Sequence, residues 1–430
     1  MPLRGIAFLA FYFFCLFGAL VAPHLGIYGY VTVYCIGPEH QWWSVPFRHW
    51  GIRFSYFIAV STAIGFFLNK SKINWGQKLF LKQEILFWIF VGLIWFSRII
   101  SEPTIGRYTT VDHPSIKLLK IGIFLFLLTH TITDLKKIDQ LFWIFVFSSF
   151  FLGIVAWETP WRAFQAGRLE GVGGADFAEA NFFGAFMGAM LPIIGVQFLR
   201  SDWKGKIITL LAGAFTANAV ILCRSRGAFL GILFGIIAAL LYAPKKHRKK
   251  IYVVMLIGII GGIRLTDPQF IHRISTIVRP VEGQKMDESA ASRPRLWKAG
   301  FHMLLDNPLG IGAGNWYQTI GHYIPEYEGK DSHSTFVKAF AELGIQGGIV
   351  FLLLIASAYH NLFRVQKVIK DFKGQAVEDM VHFSFGITVA LIIFLASSIT
   401  ITTIYTEALW IIMMLPVCLL RAVQNEPSSS

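Results

Sequence analysis

Twelve apolar stretches occupy most of this 430-residue chain, at 5–22, 51–68, 79–97, 118–133, 139–156, 181–199, 206–223, 227–243, 251–264, 343–361, 381–398 and 404–420. A helix needs ~20 predominantly apolar residues to cross a bilayer. Within hydrocarbon, only helices and closed barrels satisfy their own backbone groups. Unbroken runs of this length lack the alternation of barrel strands. The expected fold is therefore an all-α, polytopic integral membrane protein with about 12 transmembrane helices. Only 15% of the residues are charged, against ~25% in a soluble domain. Forty Phe and 13 Trp suit lipid-facing surfaces and interfacial belts. The stretch 25–36 is apolar but short, and it reads as a re-entrant or interfacial piece.

Basic loops orient the chain. Lys245-Lys246-His247-Arg248-Lys249-Lys250 holds five firmly basic residues and no acid, the composition of a cytoplasmic loop. Alternation puts loops 69–78, 200–206 and 362–380, which are also basic, on that same side. With twelve crossings, Arg4 and Arg421 join them there, and the long polar segment that follows Arg264 falls on the opposite face. The resulting organisation is helices 1–9 over residues 1–264, a loop module over 265–342, and helices 10–12 with a tail over 343–430. The first run, Ile6 to Ala22, has no small-x-small cleavage site and reads as a retained span.

The net charge of +14 suits orientation and anionic lipid head groups. No soluble basic domain exists to bind nucleic acid. Cys15, Cys35, Cys223 and Cys418 lie in or beside apolar runs without CxxC spacing, so neither a disulfide framework nor a metal site is expected.

Four polar groups fall on the outer face. In Cys223-Arg224-Ser225-Arg226-Gly227, two arginines occupy a tight turn on the side where basic residues are disfavoured. Snorkelling to head groups and a preformed anion site both remain open. In Ser292-Arg293-Pro294-Arg295-Leu296-Trp297-Lys298, Pro294 suits a first helical turn. Arg293 would then lie beside free N–H groups that favour an anion; a solvated amphipathic helix is the alternative. Gly310-Ile311-Gly312-Ala313-Gly314 lacks a preceding strand and a Walker Lys-Ser/Thr, so a structural turn is preferred over a phosphate cradle. Asp331-Ser332-His333-Ser334 opens an apolar helix, with Asp331 or Ser332 as N-cap and His333 in the first turn. There the helix dipole would keep His333 neutral, as a general base requires. A capping role is its alternative. No second His at i+3 or i+4 supports a metal, and no nucleophile elbow supports a triad. Two cationic clusters and one base on one face suit a lipid substrate with an anionic head group.

The ordered set Ser225-Arg226-Gly227, Arg293-x-x-x-Trp297, Asn307-Pro308-Leu309-Gly310-Ile311-Gly312, His333-Ser334 and Ala341-Glu342-Leu343-Gly344-Ile345-Gln346-Gly347 resembles the O-antigen ligase and polymerase superfamily over 224–348. That resemblance implies a glycosyltransferase of the bacterial inner membrane. It would move a glycan from undecaprenyl pyrophosphate to an acceptor hydroxyl on the periplasmic face, with inversion and without cofactor or metal. The 265–342 segment becomes a periplasmic module. The resemblance assigns catalytic roles to Arg226, Arg293 and His333, while proximity suggests Arg224, Arg295 and Lys298 as substrate-binding residues. His333-Ser334 replaces a common His-Asn pair. Together with Asp287-Glu288-Ser289-Ala290 and Glu179-Ala180-Asn181, it resembles the exosortase-associated O-glycosylation ligase branch. The acceptor is thus open among lipid A–core, another glycan and a protein. A polymerase uses the same donor chemistry. A transporter would instead need paired charges in mid-span and discontinuous helices; only Glu84 and Glu407, near span ends, come close to the first.

Overall fold

The computed structural model describes residues 3–45, 51–72, 78–104, 108–109, 112–165, 167–266, 271 and 288–427. Asp287 of the Asp287–Ala290 motif and much of the early part of the 265–342 segment lie outside the described residues. Among the described residues there are fifteen α-helices. They are α1 (Leu3–Val21), α2 (Pro23–Ile36), α3 (Phe54–Leu68), α4 (Lys82–Ile100), α5 (Pro114–Thr131), α6 (Leu135–Glu158), α7 (Ala180–Arg200) and α8 (Trp203–Cys223), followed by α9 (Arg226–Tyr242), α10 (Arg248–Leu265), α11 (Glu288–Asp306), α12 (Trp316–Tyr323), α13 (Thr335–Val368), α14 (Gln375–Ser397) and α15 (Glu407–Asn425).

Every one of the twelve apolar stretches is a helix. Nine described helices are long and apolar enough to cross a membrane. The other three, α3, α9 and α10, are shorter or carry basic ends: α3 has 15 residues, α9 has 17, and α10 has four basic residues near its termini. The chain is an all-α, multi-pass membrane protein. Its centre is α15, buried on nearly all sides, with α13, α14, α5 and α6 packed around it.

Polar pairs define the two ends of the bundle. At the basic end, Arg200 bonds Asp139 and Asp379, Lys246 pairs with Glu378, and Arg421 meets Glu84 at 2.7 Å. At the other end, Arg98 donates to Ser115 at 2.8 Å and Thr335 N donates to Ser398 O at 3.0 Å. Glu84 and Glu407 both sit in the first turn of their helices, as expected of charges near span ends.

The short stretch 25–36 lies in α2. Tyr28 of α2 donates to the Lys137 carbonyl at 3.0 Å, at the start of α6. Tyr34 donates to Asp176 at 3.1 Å, beyond the end of α6. So α2 runs alongside α6 within the bundle. Arg4 accordingly pairs with Glu158, at the end of α6 away from the basic loops. Arg4 and Arg421, near the two termini, therefore lie at opposite ends of the bundle. Ten of the fourteen α2 residues are buried against protein, so α2 needs no lipid-length apolar surface. A Cβ on Gly26 would come within 2.0 Å of Thr62, and one on Gly29 within 2.7 Å of Cys15; small residues allow this close approach.

A cap covers the end opposite the basic loops. Leu296 and Met303 of α11, Trp316 and Ile320 of α12, and Ala341 of α13 form its small core. The glycine turn joins the cap to the bundle. α13 breaks at Gly344 (φ 72°, ψ −172°), a region open essentially to glycine alone. The break is stitched by the preceding turn: Ile311 N donates to Ala341 O at 3.0 Å, Gly312 N to Glu342 O at 2.9 Å, and Ile345 N to Pro308 O at 3.0 Å. The Asn307–Gly312 and Ala341–Gly347 motifs are two halves of one joint. Gly344→Ala is expected to destabilise by at least ~1–3 kcal/mol from backbone strain, with an added clash against the Pro308 and Leu309 backbone, 2.4 Å from a Cβ there. A melting temperature equal to that of wild type would contradict the joint.

Candidate functional site

The α8–α9 turn is held by Trp161, Gly167 and Arg168. Arg224, in the left-handed conformation (φ 45°), donates to the Gly167 carbonyl and lies over the Trp161 ring at 5.3 Å. Arg168 donates to Cys223 O at 3.2 Å and to Asn181 Oδ1 at 2.6 Å. Ser225 caps α9 and also donates to Asn181 at 2.9 Å. Arg224 is thus engaged in fastening this turn. Arg226, the first residue of α9, is half-buried. Its neighbour Gly227 admits Thr400, whose hydroxyl would lie 2.3 Å from a Cβ there. The close approach that this glycine permits is therefore by the 398–403 turn.

That turn also grips the His333 segment. Thr335 N donates to Ser398 O at 3.0 Å and to Ile401 O at 3.1 Å, and the Thr335 hydroxyl donates to Ile401 O at 2.7 Å. Thr403 N donates back to the Thr335 hydroxyl at 2.8 Å, and Ser332 and Thr402 hydroxyls meet at 3.0 Å. The start of α9 and the His333 loop therefore share one supporting turn.

His333 adopts φ 48°, a conformation costing a non-glycine residue ~1–3 kcal/mol unless its surroundings over-determine it. Here they do. Its N–H donates to Asp331 at 3.3 Å, and Ser334, not Asp331 or Ser332, caps α13 by accepting from Val337 N. His333 lies ahead of the helix and not in its first turn. The expectation of a neutral imidazole keeps its direction but changes cause. Burial lowers the His333 pKa most; the Asp331 charge opposes this, Arg293 lowers it further, Glu179 opposes and Lys338 lowers.

Arg293 therefore lies within electrostatic reach of His333. One turn along α11, the Trp297 indole donates to Ser332 O at 3.2 Å. Residues four apart share a helix face, so the face carrying Arg293 and Trp297 is turned to the His333 loop. The helix begins at Glu288, with Pro294 inside it. Arg293 is consequently not beside the free N–H groups of a helix start, as had been expected. Arg295 belongs to another face: it pairs with Glu326, bonds the Tyr327 hydroxyl at 3.2 Å and lies over its ring. Lys298 is exposed on α11. Neither Arg295 nor Lys298 is drawn to the imidazole.

Sequence reasoning passed over Lys338 in this cluster, and gave Asp331 only a capping role and Glu179 none in the site. Lys338, fully buried, reaches Asp331 at 3.0 Å and lies 4.1 Å over the Tyr317 ring. Burial acts to raise the Asp331 carboxyl, but Lys338, a bond from Thr402 and His333 outweigh it and hold it below the ordinary range. Glu179, accessible at the start of α7 yet closely surrounded by protein, has its carboxyl raised by that enclosure and by Asp331. The signal for Lys338 was a lone cation in an apolar helix, four residues after the Ser334 cap. Among the described residues, no group of three or more His, Cys, Asp and Glu is arranged to hold a metal ion.

Residues 211–352 match the family model described as O-antigen ligase. The match runs from within α8 to within α13 and takes in Arg226, Arg293 and His333. No curated protein matches the chain significantly. Over this third of the chain, the multi-pass membrane protein is similar to the O-antigen ligase family.

Proposed function

We propose that this protein transfers a glycan from undecaprenyl pyrophosphate to an acceptor hydroxyl, with inversion and without a metal, on the periplasmic face of a bacterial inner membrane. The acceptor is lipid A–core, another glycan or a protein. The observation that carries the reading is the facing of the Arg293–Trp297 side of α11 toward His333, a buried ring on a strained backbone whose pKa burial lowers. In this mechanism the His333 ring takes the proton of the acceptor hydroxyl. The freed oxygen bonds the anomeric carbon from the face opposite the carrier. The carbon–oxygen bond to pyrophosphate breaks, and the pyrophosphate leaves with the electron pair. Arg293 and Arg226 stabilise that growing charge as fixed guanidinium groups. A metal would duplicate their work. In this reading the 265–342 segment, with α11 and α12, is the periplasmic module.

The direct test is transfer in vitro from a defined undecaprenyl-pyrophosphate glycan to each acceptor class. Single additions support a ligase, and processive ladders a polymerase. No product with any acceptor would sink the reading. Arg293→Lys should lose nearly as much transfer as Arg293→Ala, because an ammonium cannot reproduce the planar two-point contact; a near-normal Lys variant would reduce Arg293 to simple charge attraction.

A pH profile tests the arginine–imidazole coupling separately. A base works above its pKa, and the Arg293 charge lowers that of His333. Arg293→Gln should therefore move the acid limb of the residual rate to higher pH. An unmoved limb would separate the two residues.

A further inference from the structure

The basic end of the bundle holds a cavity of about 170 Å³ lined by Leu199, Arg200, His247, Lys250, Gln375, Glu378 and His382. It lies far along the chain's helices from the His333 loop, where α7 ends and α10 and α14 begin. Gln375, Glu378 and His382 fall at i, i+3 and i+7 of α14 and so share a face. Arg200 is fixed in place: Asp139 and Asp379 hold its nitrogens, and its guanidinium lies 4.2 Å over the Phe383 ring. Glu378, the carboxylate of the lining, is engaged by Lys246.

His382 is the unexplained member. It is only 4% exposed, and its ring packs 4.5 Å from that of His247. The ring passes beside the Glu378 backbone, yet neither ring nitrogen makes a hydrogen bond of normal geometry. One nitrogen has at best a poor contact with the Glu378 backbone and the other has no partner; a buried imidazole so placed is costly and calls for a ligand or ordered water. A cation is a poor occupant beside Arg200 and Lys250 with the lining carboxylate already paired. The space exceeds that of a single water, ~30 Å³, and accommodates a tetrahedral oxyanion. Imidazole, ammonium and guanidinium donors together suit phosphate oxygens.

We propose that this pocket binds a phosphate-bearing anion through His382, His247, Lys250 and Arg200. The phosphate comes either from an anionic lipid head group in the adjacent leaflet or from free solution. The test follows thermal unfolding of the detergent-purified full chain during titration with inorganic phosphate, with phosphatidylglycerol, and with phosphatidylcholine as the neutral-headgroup control. Stabilisation by phosphatidylglycerol alone assigns a lipid head group; stabilisation by inorganic phosphate assigns a free ion. Either supports the pocket if Lys250→Ala and His382→Leu each raise the half-saturating concentration about tenfold while Lys245→Ala, in the same basic turn but outside the lining, does not. Lys250 is exposed, so its variant remains informative if His382→Leu fails to fold. The proposal is overturned if no phosphate-bearing ligand stabilises the protein, if phosphatidylcholine does so equally, or if Lys250→Ala responds like wild type.

Discussion

His333→Asn is expected to lower glycan transfer by about 10²- to 10⁴-fold, the usual contribution of a positioned general base, while the protein remains folded and still binds the lipid-linked donor. Asparagine is the informative replacement. Position 333 holds φ 48°, which asparagine tolerates better than alanine, so the backbone bonds from Thr335 to Ser398 and Ile401 should survive. The amide cannot accept the acceptor's proton. The residual rate should also lose the acid limb that wild type shows below the lowered His333 pKa. Steady-state transfer and donor binding, measured on the same preparations, separate the outcomes. Loss of donor binding with residual turnover would make His333 a binding group, and transfer within tenfold of wild type would remove it from the chemistry.

The helical content was legible because lipid-facing helices must be apolar over their whole length, and twelve such stretches stand out in the sequence. α2 did not stand out, because its neighbours are helices and not lipid. Burial in protein tolerates Tyr28, Tyr30 and Tyr34, whose hydroxyls find Lys137, Glu407 and Asp176. Arg4 escapes the charge rule for the same kind of reason, since Glu158 neutralises it locally. At the site, Arg226, Arg293 and His333 were marked by the resemblance of their motifs to a known superfamily, but the direction of each side chain could not be read. Arg224 and Arg295 look alike in sequence to their neighbours Arg226 and Arg293. Only the folded chain reveals that Gly167 and Trp161 hold the first, and Glu326 and Tyr327 the second. Pro294 suggested a helix start; the chain instead forms a further turn ahead of it.

Lys338→Met should cost about 3–5 kcal/mol, the range for removing one member of a buried ion pair. The methionine fills the space but leaves the Asp331 carboxylate without its ammonium, in a site where burial already works against its charge. The double variant Asp331→Leu with Lys338→Met removes both charges, and a buried pair is often no more stabilising than apolar groups of similar volume. Most of the lost melting temperature should therefore return. Transfer should not return with it. Asp331 accepts from the His333 N–H and helps to hold the φ that aims the imidazole, and its charge offsets the lowering by Arg293. Stability restored without activity identifies the pair as a positioning device for His333. If stability and transfer recover together, the pair serves the fold alone, and the 398–403 turn suffices to position the base.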